Sequence, residues 1–180
     1  MWIPPKSPHG LIQEQYWPDK WKVLVCCLML NQTSRKQLDH IIEGFFRDFP
    51  DPDALLKASD ADILQHISHL GMQNRRLKIL RRFSAEFKAG KWGTAKDLYG
   101  CGKYADDCYR IFFVGDWKQV EPKDHALNYY HSWLWLRETD PEAALAPIAK
   151  NQREGKRLVA HAMSSAEMRV KFEELEGLNA

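Results

Sequence analysis

Hydrophobic side chains recur along this sequence at helical spacing, with no sustained alternation at period two, so the pattern predicts an all-α fold. The longest apolar run, Val23 to Leu30, follows Asp19, a residue type that caps helices, and predicts a helix from about Trp21 to Leu30. Asn31 to Ser34 reads as a polar break. Ile41, Ile42, Phe45, Phe46 and Phe49 make the next buried stripe, stopped by Pro50, and a short helix is expected around Asp53 to Lys57. Asp60 is the expected cap of a helix that turns Ile63, Leu64, Ile67 and Leu70 inward. Gly71 is placed to end it in a left-handed conformation. Leu77, Leu80, Phe83 and Phe87 then line one side of a basic helix ending near Gly90. Leu98 leads into Gly100-Cys101-Gly102, after which Lys103 to Val114 resumes helical spacing: helix, tight turn, helix. The last strong pattern, Ala126 to Arg137, carries Leu127, Tyr130, Trp133 and Leu134. Trp2 to Pro8 is proline-rich and reads as extended.

Composition narrows the class. With 180 residues, 44% of them hydrophobic, the chain can bury one good core and arrange two helical lobes around it. Its longest apolar run is far short of the roughly twenty residues that a membrane span needs, which predicts a soluble protein. No charged, apolar and small-residue leader opens the sequence, so an intracellular home is expected. Cys26, Cys27, Cys101 and Cys108 lack the spacing of a zinc site or an iron-sulfur cluster, and the histidines lack HExxH spacing. Reduced thiols, no metal and no cofactor are the expectation.

The net charge of +2 says little about partners, but the charges are unevenly placed. The densest basic run is Arg75, Arg76, Lys78, Arg81, Arg82, Lys88 and Lys91, interrupted only by Glu86. It reads either as a phosphate-facing strip or as the solvated face of an amphipathic helix.

Two short motifs carry chemistry. Gly100 and Gly102 bracket one residue, so the backbone can turn sharply and approach another surface closely. The amides that follow, at a helix start, would suit an anion such as a DNA phosphate, with Lys103 adding a charge. The second motif is Asp124, at the start of the Ala126 to Arg137 helix. Most aspartates in that position are simply N-caps, yet a cap can also aim its carboxylate into a cleft.

Leu98-Tyr99-Gly100-Cys101-Gly102-Lys103-Tyr104, followed about twenty residues later by Asp124, resembles the signature of the helix-hairpin-helix DNA glycosylase superfamily. Further blocks sharpen the likeness: Tyr109-Arg110-Ile111-Phe112, Trp117-Lys118-Gln119-Val120, Tyr130-His131 and Trp133-Leu134-Trp135. With Leu70-Gly71, Leu30-Asn31, Thr33-Ser34, Pro4-Pro5 and Ser7-Pro8, they resemble the branch of glycosylase domains typified by methyl-CpG-binding-domain protein four. That branch removes thymine or uracil mispaired with guanine. The resemblance covers roughly Trp2 to Trp135 and implies two helical lobes flanking a DNA-binding cleft.

The resemblance also implies roles. Asp124 matches the catalytic aspartate. Tyr104 stands where strand-cleaving members carry a lysine nucleophile; a phenol cannot form a Schiff base, so hydrolysis without lyase activity is implied, with Tyr104 as a pocket wall. Gln13 matches a pocket glutamine that can read the polar edge of a flipped pyrimidine; the residues alone would leave it an unremarkable surface side chain. Gln32, in the Asn31-Gln32-Thr33 loop, stands where the relatives insert a side chain into the gap left by the flipped base; the vertebrate-like pattern has arginine there, and Gln32 keeps the hydrogen-bonding capacity but loses the charge. Met72 matches the apolar wedge. The implied partner is double-stranded DNA with a G·T or G·U mismatch, bound by a monomer, and the implied location is the nucleus.

The expected organisation is a glycosylase domain at 1–137 and a C-terminal helical extension at 138–180, with short helices at Ala143 to Lys150, Lys156 to Met163 and Glu167 to Leu175. Two rival readings remain from the residues: a non-catalytic helix-hairpin-helix DNA-binding module, and a helical interaction scaffold that does not bind DNA.

Overall fold

The computed structural model describes residues 1–145 and, in the tail, Val170, Glu173, Glu174 and Gly177; none of these residues lies in a strand. The tail stretches expected at Lys156 to Met163 and at most of Ala143 to Lys150 and Glu167 to Leu175 lie outside the described residues.

The proline-rich opening is irregular, and two long-range bonds hold it down: Trp2 Nε1 donates to the Ile111 carbonyl at 2.8 Å, and the Tyr130 hydroxyl donates to the Pro5 carbonyl at 2.8 Å. A helix that the periodicity missed follows, α1 (Ile12–Tyr16), too short to repeat a hydrophobic pattern. Its Glu14 carboxylate folds back to accept from the Ser7 and Leu11 amides, both at 2.6 Å, and so stands in for a capping side chain.

Helix α2 (Lys20–Leu30) is capped as predicted, with Asp19 accepting from the Lys22 amide at 3.0 Å. Trp21 and every residue from Val23 to Met29 are buried, so α2 is apolar on all sides and forms the axis of the core. Truncating Leu24, which is fully buried, to alanine would cost about 2–5 kcal/mol through lost contacts and a residual cavity.

The polar break Asn31 to Ser34 opens a second short helix, α3 (Arg35–Asp39), which Ser34 and Gln37 cap reciprocally. Then come α4 (Ile42–Asp48), with the predicted Ile42, Phe45 and Phe46 buried, and α5 (Pro52–Lys57), capped by Asp51. Helix α6 (Asp60–Ile67) corrects the expected cap by one position: Ser59, in an extended conformation, accepts from the Asp62 amide at 3.1 Å. A 3-10 turn at Ser68–Leu70 extends α6 to Gly71, whose φ of 77° comes with an extended ψ of 167°. The left-handed residue is the next one, Met72, at φ 47° and ψ 36°.

The basic helix α7 (Gln73–Ala89) ends at Gly90, as predicted, and the glycine there is left-handed. Its Ser84 accepts from Trp21 Nε1 at 3.0 Å and so pins α7 to α2. The arm before the glycine turn is only a 3-10 turn, Ala95–Asp97. After it come α8 (Lys103–Tyr109) and a π-helical stretch, Arg110–Val114. Asp124 caps α9 (His125–Thr139), which runs past position 137, and α10 (Pro141–Ala144) folds back so that Trp133 Nε1 donates to the Ala144 carbonyl at 3.0 Å.

Helix α2 touches α1, α3, α7 and α8, and α7 in turn packs on α5 and α6. One lobe therefore holds α3 to α7; the other holds α8 to α10 and the N-terminal strap, with α2 between them. No described helix is long and apolar enough to cross a membrane.

Candidate active site and its flanking loops

A cleft of about 1130 Å³ opens between α1, the turn after α2, and the first turns of α8 and α9. Five of the residues singled out by sequence line it: Gln13, Gln32, Thr33, Tyr104 and Asp124. Its size is ample for an extruded nucleotide, since small-molecule sites typically occupy roughly 300–1,000 Å³.

Asp124 is both a cap and a cleft residue. Its Oδ1 accepts from the Leu127 amide at 2.9 Å, which satisfies one of the free donors at the start of α9. Its Oδ2 has no protein partner among the described residues, and the side chain is exposed to the cleft. The segment before it is fixed by Asn128, whose side-chain amide donates to the Pro122 carbonyl at 2.9 Å. The carboxylate therefore has a set orientation, with the positive end of the α9 dipole behind it.

Gln13, which residue type alone would leave on the surface, is 2% exposed and lines the cleft. Its Nε2 donates to the Tyr104 hydroxyl at 2.8 Å and approaches Cys27 Sγ and Cys108 Sγ, each at 3.7 Å. With the nitrogen turned toward these acceptors, Oε1 is the amide atom left without a protein partner among the described residues. Burial, reinforced by the nearby Cys108 and Cys27 thiols and the Asp124 carboxylate, pushes the Tyr104 phenol well above its ordinary value. Tyr104 is therefore a neutral hydroxyl that accepts from Gln13 and keeps its own proton to donate. Burial also pushes the Cys108 thiol up, and Cys101 up to about 12, so neither is a thiolate at neutral pH. All four cysteines are free, and among the described residues no three metal-ligating side chains converge.

Periodicity did not mark two further cleft residues. His9 is 3% exposed, and its ring stacks on Tyr129 with centroids 5.8 Å apart. Tyr129 lies one helical turn from His125, which also lines the cleft, so i, i+4 spacing from His125, the residue after the Asp124 cap, was the available signal. Nothing in the spacing singles out His9.

Two loops flank the cleft. Leu30 to Thr33 is a type II turn: the Thr33 amide donates to the Leu30 carbonyl at 3.1 Å, Asn31 has φ −62° and ψ 114°, and Gln32 has φ 58°. Glycine usually fills that third position, and a glutamine there carries strain of about 1–3 kcal/mol. Met72, exposed on the second loop, is the other described non-glycine residue with positive φ. It shares a crevice with Asn31 beside the cleft.

The glycine turn does not line the cleft. Gly100, at φ 84°, packs against the core so closely that a Cβ would come within 2.6 Å of Ile79 Cγ2 and 3.2 Å of Leu28 Cδ2. Gly102 needs no unusual backbone angle and faces open space, and no side chain caps the amides that follow it. The Lys103 ammonium is held by Asp107 at 2.6 Å and by the Glu121 carbonyl at 3.0 Å. It lines a separate groove with Lys96, Arg110 and Lys123.

Of the seven cations in the basic run only Arg76 is buried, but four are tied to protein acceptors. Arg76 is 5% exposed, Arg81 bonds Asp60 and the Ala58 carbonyl, Arg82 pairs with Glu86, and Lys88 pairs with Asp53. Arg75, Lys78 and Lys91 remain exposed with no ion pair among the described residues.

Comparison with known proteins agrees with this geometry. Residues 25–157 match the family model described as HhH-GPD superfamily base excision DNA repair protein. The chain is similar to a methyl-CpG-binding domain protein 4-like protein of Arabidopsis thaliana, with 41% identity over 136 residues, covering 76% of this chain and 31% of that protein. It is also similar to a thymine-DNA glycosylase of Aeropyrum pernix, at 30% identity over 48% of this chain and 42% of the relative. A thymine/uracil-DNA glycosylase of Pyrobaculum aerophilum matches at 36% identity over 48% of this chain and 41% of the relative. The matched segments thus span less than half of each of these relatives. A solved structure of a thermostable thymine-DNA glycosylase superposes with a TM-score of 0.51 over 62% of this chain and 52% of that one; at 21% identity it speaks to the fold alone. On the strength of the family match, which covers most of its length, the chain belongs to the HhH-GPD superfamily of base excision DNA repair proteins.

Proposed function

We propose that this chain is a monofunctional DNA glycosylase that flips thymine or uracil mispaired with guanine out of double-stranded DNA and hydrolyses its bond to the sugar. The observation that carries the reading is the convergence of Asp124, Tyr104 and Gln13 on one cleft with the Gln32 loop at its rim. The names of the relatives, thymine-DNA and thymine/uracil-DNA glycosylase, point to the same bases.

The chemistry follows from the side chains. Extruding a nucleotide costs a few kcal/mol, least for a mispaired base, and in this reading Gln32 occupies the gap it leaves while Met72 acts as the wedge. Gln13 Oε1 accepts from the N3–H of thymine or uracil; cytosine offers an acceptor there instead and is disfavoured. As the glycosidic bond breaks, the base departs with the bonding electrons and C1′ becomes cationic. Asp124 stabilises that cation and orients a water, which adds to C1′ and gives its proton to the Asp124 carboxylate; the departing base anion takes up a proton in turn, leaving free base and an abasic site. Tyr104 supplies a neutral wall. Its neighbour Lys103 is tied to Asp107, so no lysine is offered for a Schiff base at this position.

The uncapped amides after Gly102, with Arg75 and Lys78, are candidate phosphate contacts. The protein acts in this reading as a monomer without metal or cofactor, in the nucleus. Duplexes carrying G·T, G·U or A·U, and single-stranded uracil, test the activity: strand breaks should appear at G·T and G·U only after alkali. Breaks without alkali would contradict the monofunctional assignment, and tight binding without excision would favour a non-catalytic module. A fluorescent fusion tests the location, with exclusion from the nucleus contradicting it.

A further inference from the structure

Arg76 is a buried cation with no carboxylate partner among the described residues, and its hydrogen bonds converge on both DNA-facing loops. From α7, Nε donates to the Gly71 carbonyl at 2.9 Å, and Nη1 to the Met29 carbonyl at 3.1 Å. Nη2 reaches the Asn31 carbonyl at 2.9 Å, Thr33 Oγ1 at 2.6 Å and the Leu70 carbonyl at 3.4 Å. These acceptors flank Gln32 on one loop and immediately precede Met72 on the other. The same two residues hold the described non-glycine positive φ angles, 58° and 47°. Strained backbone of this kind persists only where its surroundings over-determine it.

We propose that Arg76 is a positioning residue that locks the two loops into one rigid unit, presenting Gln32 and Met72 ready to enter the duplex. This role rests on the glycosylase reading above. A planar guanidinium can serve acceptors on two loops at once because its five donors point in fixed directions; lysine has the charge but not the fork. Without the clamp each loop relaxes toward ordinary φ values, and the insertion-competent arrangement becomes a minor population that binding must select. The loss then falls on the step that opens the duplex, whereas bond cleavage at Asp124 is untouched.

The test compares the full chain with its Arg76→Lys and Thr33→Val variants on two substrates. One is a G·U duplex with 2-aminopurine beside the uracil to report flipping; the other is a duplex with uracil in a one-nucleotide bulge, where no partner must be displaced. Arg76→Lys should slow single-turnover excision from G·U by about tenfold or more and shrink the 2-aminopurine signal, while bulged uracil is excised within about threefold of the parent. Thr33→Val, which removes one acceptor and keeps the side-chain shape, should move the same readouts in the same direction by less, and it carries the test if Arg76→Lys fails to fold. Equal losses on both substrates would reduce Arg76 to a general scaffold and overturn the proposal, as would unchanged G·U excision in both variants. A parent chain that excises neither substrate would instead overturn the glycosylase reading.

Discussion

The Gln13 amide nitrogen donates to the Tyr104 hydroxyl at 2.8 Å across 91 positions of sequence. This bond joins α1 to α8 and sets the polarity of the pocket, since it turns the glutamine nitrogen inward and leaves the carbonyl oxygen for a ligand. Gln13→Leu keeps the volume and removes the reader. Single-turnover excision of thymine and uracil opposite guanine should fall by about 10- to 100-fold, the cost of leaving a buried imide hydrogen unpaired. Unchanged rates would place the reading of the base elsewhere.

The two hairpin glycines should separate stability from DNA contact. Gly100→Ala introduces a Cβ at 2.6 Å from the β-branched Ile79 and on a positive φ, and should cost about 1–3 kcal/mol of stability in denaturant titration. Gly102→Ala has open space and ordinary backbone angles, so stability should change by less than about 0.5 kcal/mol. Affinity for duplex DNA should fall, because the methyl group stands where a phosphate approaches the amides. Equal effects of the two changes on stability would contradict this division.

The basic helix divides in the same way. Replacing Arg75 or Lys78 with alanine should weaken DNA binding and lower the salt slope of log K by about one each, with little change in melting temperature. Arg81→Ala frees the Asp60 carboxylate and the Ala58 carbonyl instead, and should lower melting temperature while leaving the salt slope alone. Fluorescence anisotropy at several salt concentrations, beside thermal melts, distinguishes the two outcomes.

Alkaline pH probes the pocket floor. Burial raises the Tyr104 and Tyr130 phenols above the ordinary value of 10.0, so the folded state keeps protons that the unfolded chain loses. Their contribution is complete below about pH 10 and declines as pH rises beyond it. Tyr104→Phe removes one such group and should flatten the loss of stability above about pH 10, measured by denaturant midpoints. An unaltered slope would mean that Tyr104 ionises freely in the fold.

Much of this was legible in the sequence wherever a helix was long enough to repeat. The apolar run to Leu30, its Asp19 cap, the Phe45-Phe46 stripe and the Gly90 stop all lie where spacing and cap chemistry put them. The five-residue helices α1 and α3 were not, because they span little more than one turn and are held by Glu14 and Ser34 rather than by a buried face. The burial of Gln13 and Arg76 was not legible from residue type for a related reason, and only the resemblance singled out Gln13 as a pocket residue. Hydropathy assigns an amide or a guanidinium to water, and only the fold reveals acceptors such as Tyr104 or the Asn31 carbonyl brought in from far along the chain. Asp124 was legible as a cap from its position and as a cleft residue through the resemblance; which of its oxygens the cap occupies is seen only in the fold.

The central claim is that the Asp124 carboxylate drives base removal, and Asp124→Asn tests it most directly. Asparagine caps helices as well as aspartate, so α9 should stay folded and duplex binding largely intact. Free thymine released from a G·T duplex, quantified under single-turnover conditions, should fall on the order of 100- to 1,000-fold relative to the parent chain. Release of thymine by the variant at the parental rate would contradict the account.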